Sequence, residues 1–156
     1  MSDDLADEVR AAVELILRDH AQTGDDFSRR LWQELCATGF HLLGVPEKIG
    51  GSGGGLREAA ALAGAAAFHG AVVPTVEAGL LGGWLLAQAE VAVPAGLTVA
   101  ALDEAELRDG RLSGRLRTPW GRYAEHVVVL VRSGETPMVT VVPTAAAAIE
   151  QADNLA

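Results

Sequence analysis

The chain has 156 residues, enough for one ordinary domain or two small ones with a genuine core. It is 49% hydrophobic but only 4% aromatic, so the core must be packed from small aliphatic side chains. A formal charge of −9 excludes nucleic acid as a main partner, since phosphate binding requires clustered Lys and Arg.

Residues 3 to 21 are expected to form an amphipathic helix: Leu5, Val9, Ala12, Val13, Ile16, Leu17 and His20 recur every three or four positions on one stripe. Asp3 and Asp4 stand where a helix start favours negative charge. Thr23-Gly24-Asp25-Asp26 reads as a stop and a new start, with Asp25 or Asp26 able to cap the next helix. That second helix, about 27 to 38, places Phe27, Leu31, Leu35 and Thr38 on one side, with Trp32 and Cys36 beside them, and Gly39 at its C-terminal cap. Phe40 to Gly55 reads as a glycine-rich loop. From Leu56 to His69 the alanine density favours helix, and Gly70 and Pro74 break it. Val76 to Ala89 is apolar nearly all round, as in a buried helix.

After Pro94 the period changes. Leu97 to Leu102 resembles a strand, and Asp109-Gly110 is a turn signal ahead of Arg111 to Arg117. Glu125 to Arg132 and Met138 to Val142, joined by Ser133-Gly134-Glu135-Thr136, form a hairpin pattern. The expected fold is α+β: an up-down helical bundle over residues 1–93, then an antiparallel β-domain over 94–156.

Chemistry is scarce. The run Gly50 to Gly55 lacks the Lys and Ser/Thr that close a phosphate loop, and no strand leads into it, so it reads as a flexible connection. The four histidines, at 20, 41, 69 and 126, lie far apart with no ligand spacing, so no metal site is expected. Cys36 reads as a small buried hydrophobe rather than a nucleophile, and a lone cysteine fits a reducing compartment. The longest uncharged stretch, between Glu58 and Glu77, is broken by Pro74, so membrane insertion is not expected and a cytoplasmic location is. Trp120, in Thr118-Pro119-Trp120-Gly121, could stack on a planar ligand, close a core, or meet a partner chain. No catalytic triad or carboxylate pair stands out, so chemistry alone discloses no reaction.

Two stretches add to this. Leu31 to Phe40, followed by Val45-Pro46-Glu47-Lys48-Ile49-Gly50-Gly51-Ser52-Gly53, resembles the acyl-CoA dehydrogenase pattern in which a helix ending "L-x-x-x-G" leads into "V-P-E-x-x-G-G-x-G". Gly110-Arg111-Leu112-Ser113-Gly114 and Ala124-Glu125-His126-Val127-Val128-Val129 are similar to the start of that family's middle domain, and Asp153 to Ala156 is similar to a further family segment. The resemblance implies a FAD-dependent oxidoreductase of lipid metabolism that dehydrogenates an acyl-CoA thioester between its α and β carbons. It also implies a homo-oligomer, or a hetero-oligomer with another dehydrogenase subunit, since some actinobacterial-type members work as unequal pairs. By the same resemblance, flavin contacts fall on Thr118, Trp120, Leu102 and Asp103. The family's flavin segment, "T-E-P-x-x-G-S-D", is replaced here by Ala101 to Glu106. The C-terminal helical domain that carries the family's catalytic Glu is expected to lie outside these residues, so no catalytic residue is assigned and the chain is expected to be inactive alone. Alternatives are a non-catalytic partner subunit and a flavin-free interaction module on the same fold.

Overall fold

The computed structural model describes residues 2–19, 26–101, 105–133 and 136–152. The chain divides into two units, Met1–Val93 and Pro94–Ala156.

The first unit is helical. Helix α1 (Ser2–Asp19) buries Val9, Val13 and Leu17, three positions of the expected stripe, whereas Leu5 remains half exposed. His20 and the Thr23-Gly24-Asp25 stop lie outside the described residues. Helix α2 (Arg29–Ala37) starts two residues later than its apolar spacing suggests. Ser28, not an aspartate, holds the cap position, and the Asp26 carboxylate accepts from the Phe27 N–H at 2.9 Å instead. Leu31, Trp32 and Leu35 form its buried face, and Leu35 is fully sealed from solvent. Gly39 follows in the left-handed conformation that ends a helix cheaply, as its place in the sequence indicates.

Helix α3 (Leu56–Phe68) packs Ala59, Ala61, Leu62, Ala65 and Ala66 inward. Its first turn is closed by Glu58, a buried carboxylate that accepts the Gly55 N–H at 2.7 Å. The expected helix from Val76 is not a plain α-helix. Val76–Gly83 winds as a π-helix and only Trp84–Gln88 (α4) is α-helical. The wide turn brings Gly79 and Gly83 against the 41–45 backbone and the Val45 side chain, where a Cβ at either position would crowd its neighbours.

The second unit is a five-stranded sheet: β1 (Thr98–Ala101), β2 (Ala105–Arg108), β3 (Arg111–Gly114), β4 (His126–Ser133) and β5 (Thr136–Pro143). The expected Val-rich hairpin is present, and the expected turn at Asp109-Gly110 closes a second one. β2 and β3 turn through Asp109-Gly110, both at positive φ, and β4 pairs antiparallel with β5 from His126–Pro143 to Ser133–Thr136. The sheet is mixed rather than wholly antiparallel, because β1 and β2 both run parallel to β4. Parallel neighbours explain why β1 is buried at every position and why Val127, Val128, Val129 and Val131 of β4 are all buried. β5, by contrast, has no buried residue, and among the described residues it pairs only with β4.

The register along β4 reveals how β1 and β2 relate. Ala101 faces Val129 and Glu106 faces Arg132. Five steps along the chain therefore span positions that lie only three steps apart on the neighbouring strand, a difference of two residues. In effect β1 and β2 form one interrupted strand line beside β4.

Candidate functional site

Of the four residues implicated by resemblance, Leu102 and Asp103 lie outside the described residues. Thr118 and Trp120 fall together in one turn, which crosses from β3 back to β4. The Thr118 hydroxyl donates to the Ala100 carbonyl of β1 at 2.9 Å and lies 3.1 Å from the Pro119 carbonyl, so its one proton is used within the chain. Trp120 is half-buried at φ +67°, a left-handed conformation that costs a bulky residue energy unless its surroundings enforce it. The enforcement is visible: the Trp120 carbonyl accepts from the Tyr123 N–H at 2.8 Å and the Ala124 N–H at 3.2 Å. Gly121 donates to the Thr118 carbonyl at 3.4 Å, and its own α-carbon sits against Thr118, leaving no room for a side chain. Further along, the Glu125 and His126 N–H groups both donate to the Leu97 carbonyl, at 2.8 and 3.1 Å. Thr144, just past β5, ties the same segment down through its hydroxyl to the Ala124 carbonyl at 2.8 Å.

Beside Trp120 the turn carries Arg122, whose guanidinium lies over the Tyr123 ring at 4.7 Å. An isoalloxazine edge requires N–H or O–H donors aimed outward, and here the Thr118 hydroxyl and the N–H groups of Gly121, Tyr123, Ala124, Glu125 and His126 all point at carbonyls of this chain. A pyrophosphate requires cations or a cradle of N–H groups. Among the arginines of this unit, Arg108 and Arg115 pair with Glu106 and Glu150 at 2.8 and 2.9 Å, and Arg122 lies in the turn itself, over the Tyr123 ring.

The glycine run of the helical unit fails the same test. Gly50, Gly51, Ser52 and Gly53 donate their N–H groups to Glu47, Pro46, Leu42 and Val45 carbonyls at 2.9 to 3.3 Å, and Gly55 donates to Glu58. The loop is stitched to itself rather than slack, with the Ser52 hydroxyl adding a 2.6 Å bond to the Gly39 carbonyl. It is a structural clasp, not a phosphate cradle.

The histidines do not converge. His41 packs edge-on to Trp32, 5.6 Å between ring centres; burial lowers its pKa, and a hydrogen bond with the Leu35 backbone offsets part of that. His69 lies edge-on to the exposed Phe68, His126 opens β4, and His20 is outside the described residues. Among the described residues no group of three or more His, Cys, Asp or Glu could hold a metal ion, and no helix is long and apolar enough to cross a membrane. Cys36 is half-buried rather than fully sealed. What sequence reasoning missed is the engagement of Thr118 with β1 and the parallel pairing of both β1 and β2 with β4; neither leaves a signal in residue type.

The family model for the acyl-CoA dehydrogenase N-terminal domain matches residues 2–89, more than half of the chain. The chain belongs to the acyl-CoA dehydrogenase family. No curated protein matches it in sequence. Among solved structures it is similar to the ChsE4–ChsE5 complex from Mycobacterium tuberculosis, with a TM-score of 0.70 at 23% identity over 89% of this chain. It is also similar to a glycine-to-alanine variant of the Tcur3481–Tcur3483 steroid ACAD, with a TM-score of 0.71 at 22% identity over 92% of this chain. At that identity the likeness establishes the fold. The chain spans about half the length of these solved chains, 47% and 49%.

Proposed function

We propose that this chain forms the N-terminal helical domain (1–93) and part of the β-domain (94–156) of a cytoplasmic acyl-CoA dehydrogenase-type assembly. The assembly dehydrogenates an acyl-CoA thioester between its α and β carbons, using FAD held with residues outside these 156. The observation that carries this reading is the pairing of a family-matched helical unit with a mixed sheet in the order and fold of the two solved dehydrogenase complexes. The sparse donor set of the Thr118–Ala124 turn supports the second half of the proposal. With the Thr118 hydroxyl and several backbone N–H groups of this turn engaged within the chain, further residues are needed for catalysis, from more chain or from a partner dehydrogenase subunit.

The test is an acyl-CoA oxidation assay with an artificial electron acceptor. The natural full-length protein is assayed alone and together with each dehydrogenase subunit encoded beside it, against fatty and steroid-side-chain CoA thioesters. The expected result is an enoyl product two mass units lighter, formed only when the missing residues are supplied. No oxidation in any combination, with control dehydrogenases active in the same assay, would overturn the reading.

A further inference from the structure

The turn that joins β2 to β3 sets two uncommitted reactive groups side by side. We infer that Asp109 is a site of spontaneous isomerisation. Its side-chain carboxyl condenses with the Gly110 amide, and the ring reopens as a β-linked isoaspartate, the substrate class of carboxyl methyltransferases that recognise that linkage.

Both reactants lie at the surface and are unengaged. Asp109 and Gly110 are exposed, and among the described residues no hydrogen bond or ion pair holds the Asp109 carboxylate or the Gly110 N–H. Gly110 brings no side chain to hinder the approach, and nothing lies within 4 Å of where its Cβ would stand. It completes the one Asp-Gly pair of the chain, and no Asn precedes a Gly. Asp26 is the contrast: its carboxylate accepts the Phe27 N–H at 2.9 Å, and the residue after it is bulky.

The hairpin tip is also weakly held. Asp109 and Gly110 form its two-residue loop, both at positive φ. Among the described residues β3 pairs only with β2, and β2 registers with β4 at Glu106 and Arg132 alone. Opening the tip therefore breaks few contacts and leaves the β4–β5 ladder intact.

The reaction needs only water. The Gly110 nitrogen bonds to the Asp109 Cγ and gives up its proton, and a carboxylate oxygen leaves as water with that proton and one from solvent. Water then adds to the former α-carbonyl of the five-membered ring and the bond from that carbonyl to nitrogen breaks. One proton passes to the nitrogen and one returns to solvent. The main chain is now longer by one carbon, so Arg108 no longer stands opposite Arg111 across a two-residue loop.

The test incubates the natural full-length protein for weeks at neutral pH and body temperature, beside a synthetic peptide of residues 105–114 in which the chemistry is unrestrained. Isoaspartate is labelled with an isoaspartyl carboxyl methyltransferase and located by peptide mapping. The folded protein is expected to convert at Asp109 at no less than a tenth of the peptide's rate, with faster amide exchange over 105–114 in the aged protein and none gained in the β4–β5 ladder. Asp109→Asn, which keeps the turn, should convert faster and carry the mass gain of deamidation, and Asp109→Glu should abolish the signal. Conversion below a tenth of the peptide's rate, isoaspartate only at other positions, or a signal that survives in Asp109→Glu would overturn the inference.

Discussion

Three glycine-to-alanine substitutions in the helical unit, identical in chemistry, should have effects of different size and sign. At Gly51 an added Cβ would stand 2.6 Å from the Val45 Cβ and closer still to the Val45 carbonyl, which is backbone and cannot rotate away. Overpacking of this kind costs about 1–3 kcal/mol. Relieving it means moving Val45, whose carbonyl accepts the Gly53 N–H at 2.9 Å, and a lost hydrogen bond adds about 1 kcal/mol. The expected total is about 2–4 kcal/mol, a large part of the roughly 5–15 kcal/mol that holds a domain together. Gly50 meets nothing within 4 Å, but its φ of +95° is a conformation that L side chains resist, so Gly50→Ala should cost only about 1–2 kcal/mol. Gly64 sits exposed in the middle of α3 with open space around it, so Gly64→Ala should stabilise by about 0.5–1 kcal/mol through helix propensity. Urea unfolding followed by circular dichroism at 222 nm reads this directly, because the described helices longer than one turn all lie in the first unit. If Gly51→Ala lies within about 1 kcal/mol of the parent, or the order of the three is inverted, the stitched loop described above is wrong.

Further outcomes follow from single contacts. Glu58→Ala should cost about 1.5–3 kcal/mol, because the Gly55 N–H loses a charged acceptor in a buried place, and Glu58→Gln should recover part of the loss in the same urea assay. Thr118→Val keeps the shape but removes the donation to Ala100; amide exchange across 118–124 should accelerate while the β4–β5 ladder is unchanged, and unchanged exchange in the turn would refute the anchoring role. His41 should make stability pH-dependent. Burial lowers its folded pKa, so the unfolded chain takes up a proton first as pH falls; the contribution is intact above about pH 6.5 and is lost below it, toward the folded value. His41→Leu should flatten the difference in urea midpoint between pH 7.5 and pH 5.5, and an identical slope in both proteins would count against the assignment.

Elements whose identity is local were legible in the residues. The α1 stripe, the alanine run of α3, Gly39 as a terminator and the Val-rich hairpin each depend on period or propensity within a dozen positions. Elements decided by distant neighbours were not. Val76–Gly83 has an ordinary helical spacing, and its π-winding is visible only once Gly79 and Gly83 meet residues 41–45. Ala105–Arg108 is charged enough to read as loop, and it becomes a strand because β3 and β4 flank it. The parallel pairing of β1 with β4 leaves its trace only in continuous burial, which a short apolar run shares with a buried helix segment. For the candidate site, Trp120 was visible as an unusual loop aromatic, but the engagement of the Thr118 hydroxyl and the Tyr123 and Ala124 N–H groups depends on where carbonyls of β1 and the turn fall in space.

Strand β5, which among the described residues pairs only with β4, carries one more consequence. Pro137 and Pro143 occupy the same alternating set of β5 positions as Val139 and Val141, opposite Arg132, His126, Leu130 and Val128. A proline cannot donate into the ladder with β4, so this set turns its backbone away from it, and two of the four outward amides are missing. An incoming strand would find donors at Val139 and Val141 alone. The rim of this sheet is therefore a poor template for runaway strand-on-strand growth, and chains stored at high concentration should stay dispersed until one of those prolines is replaced.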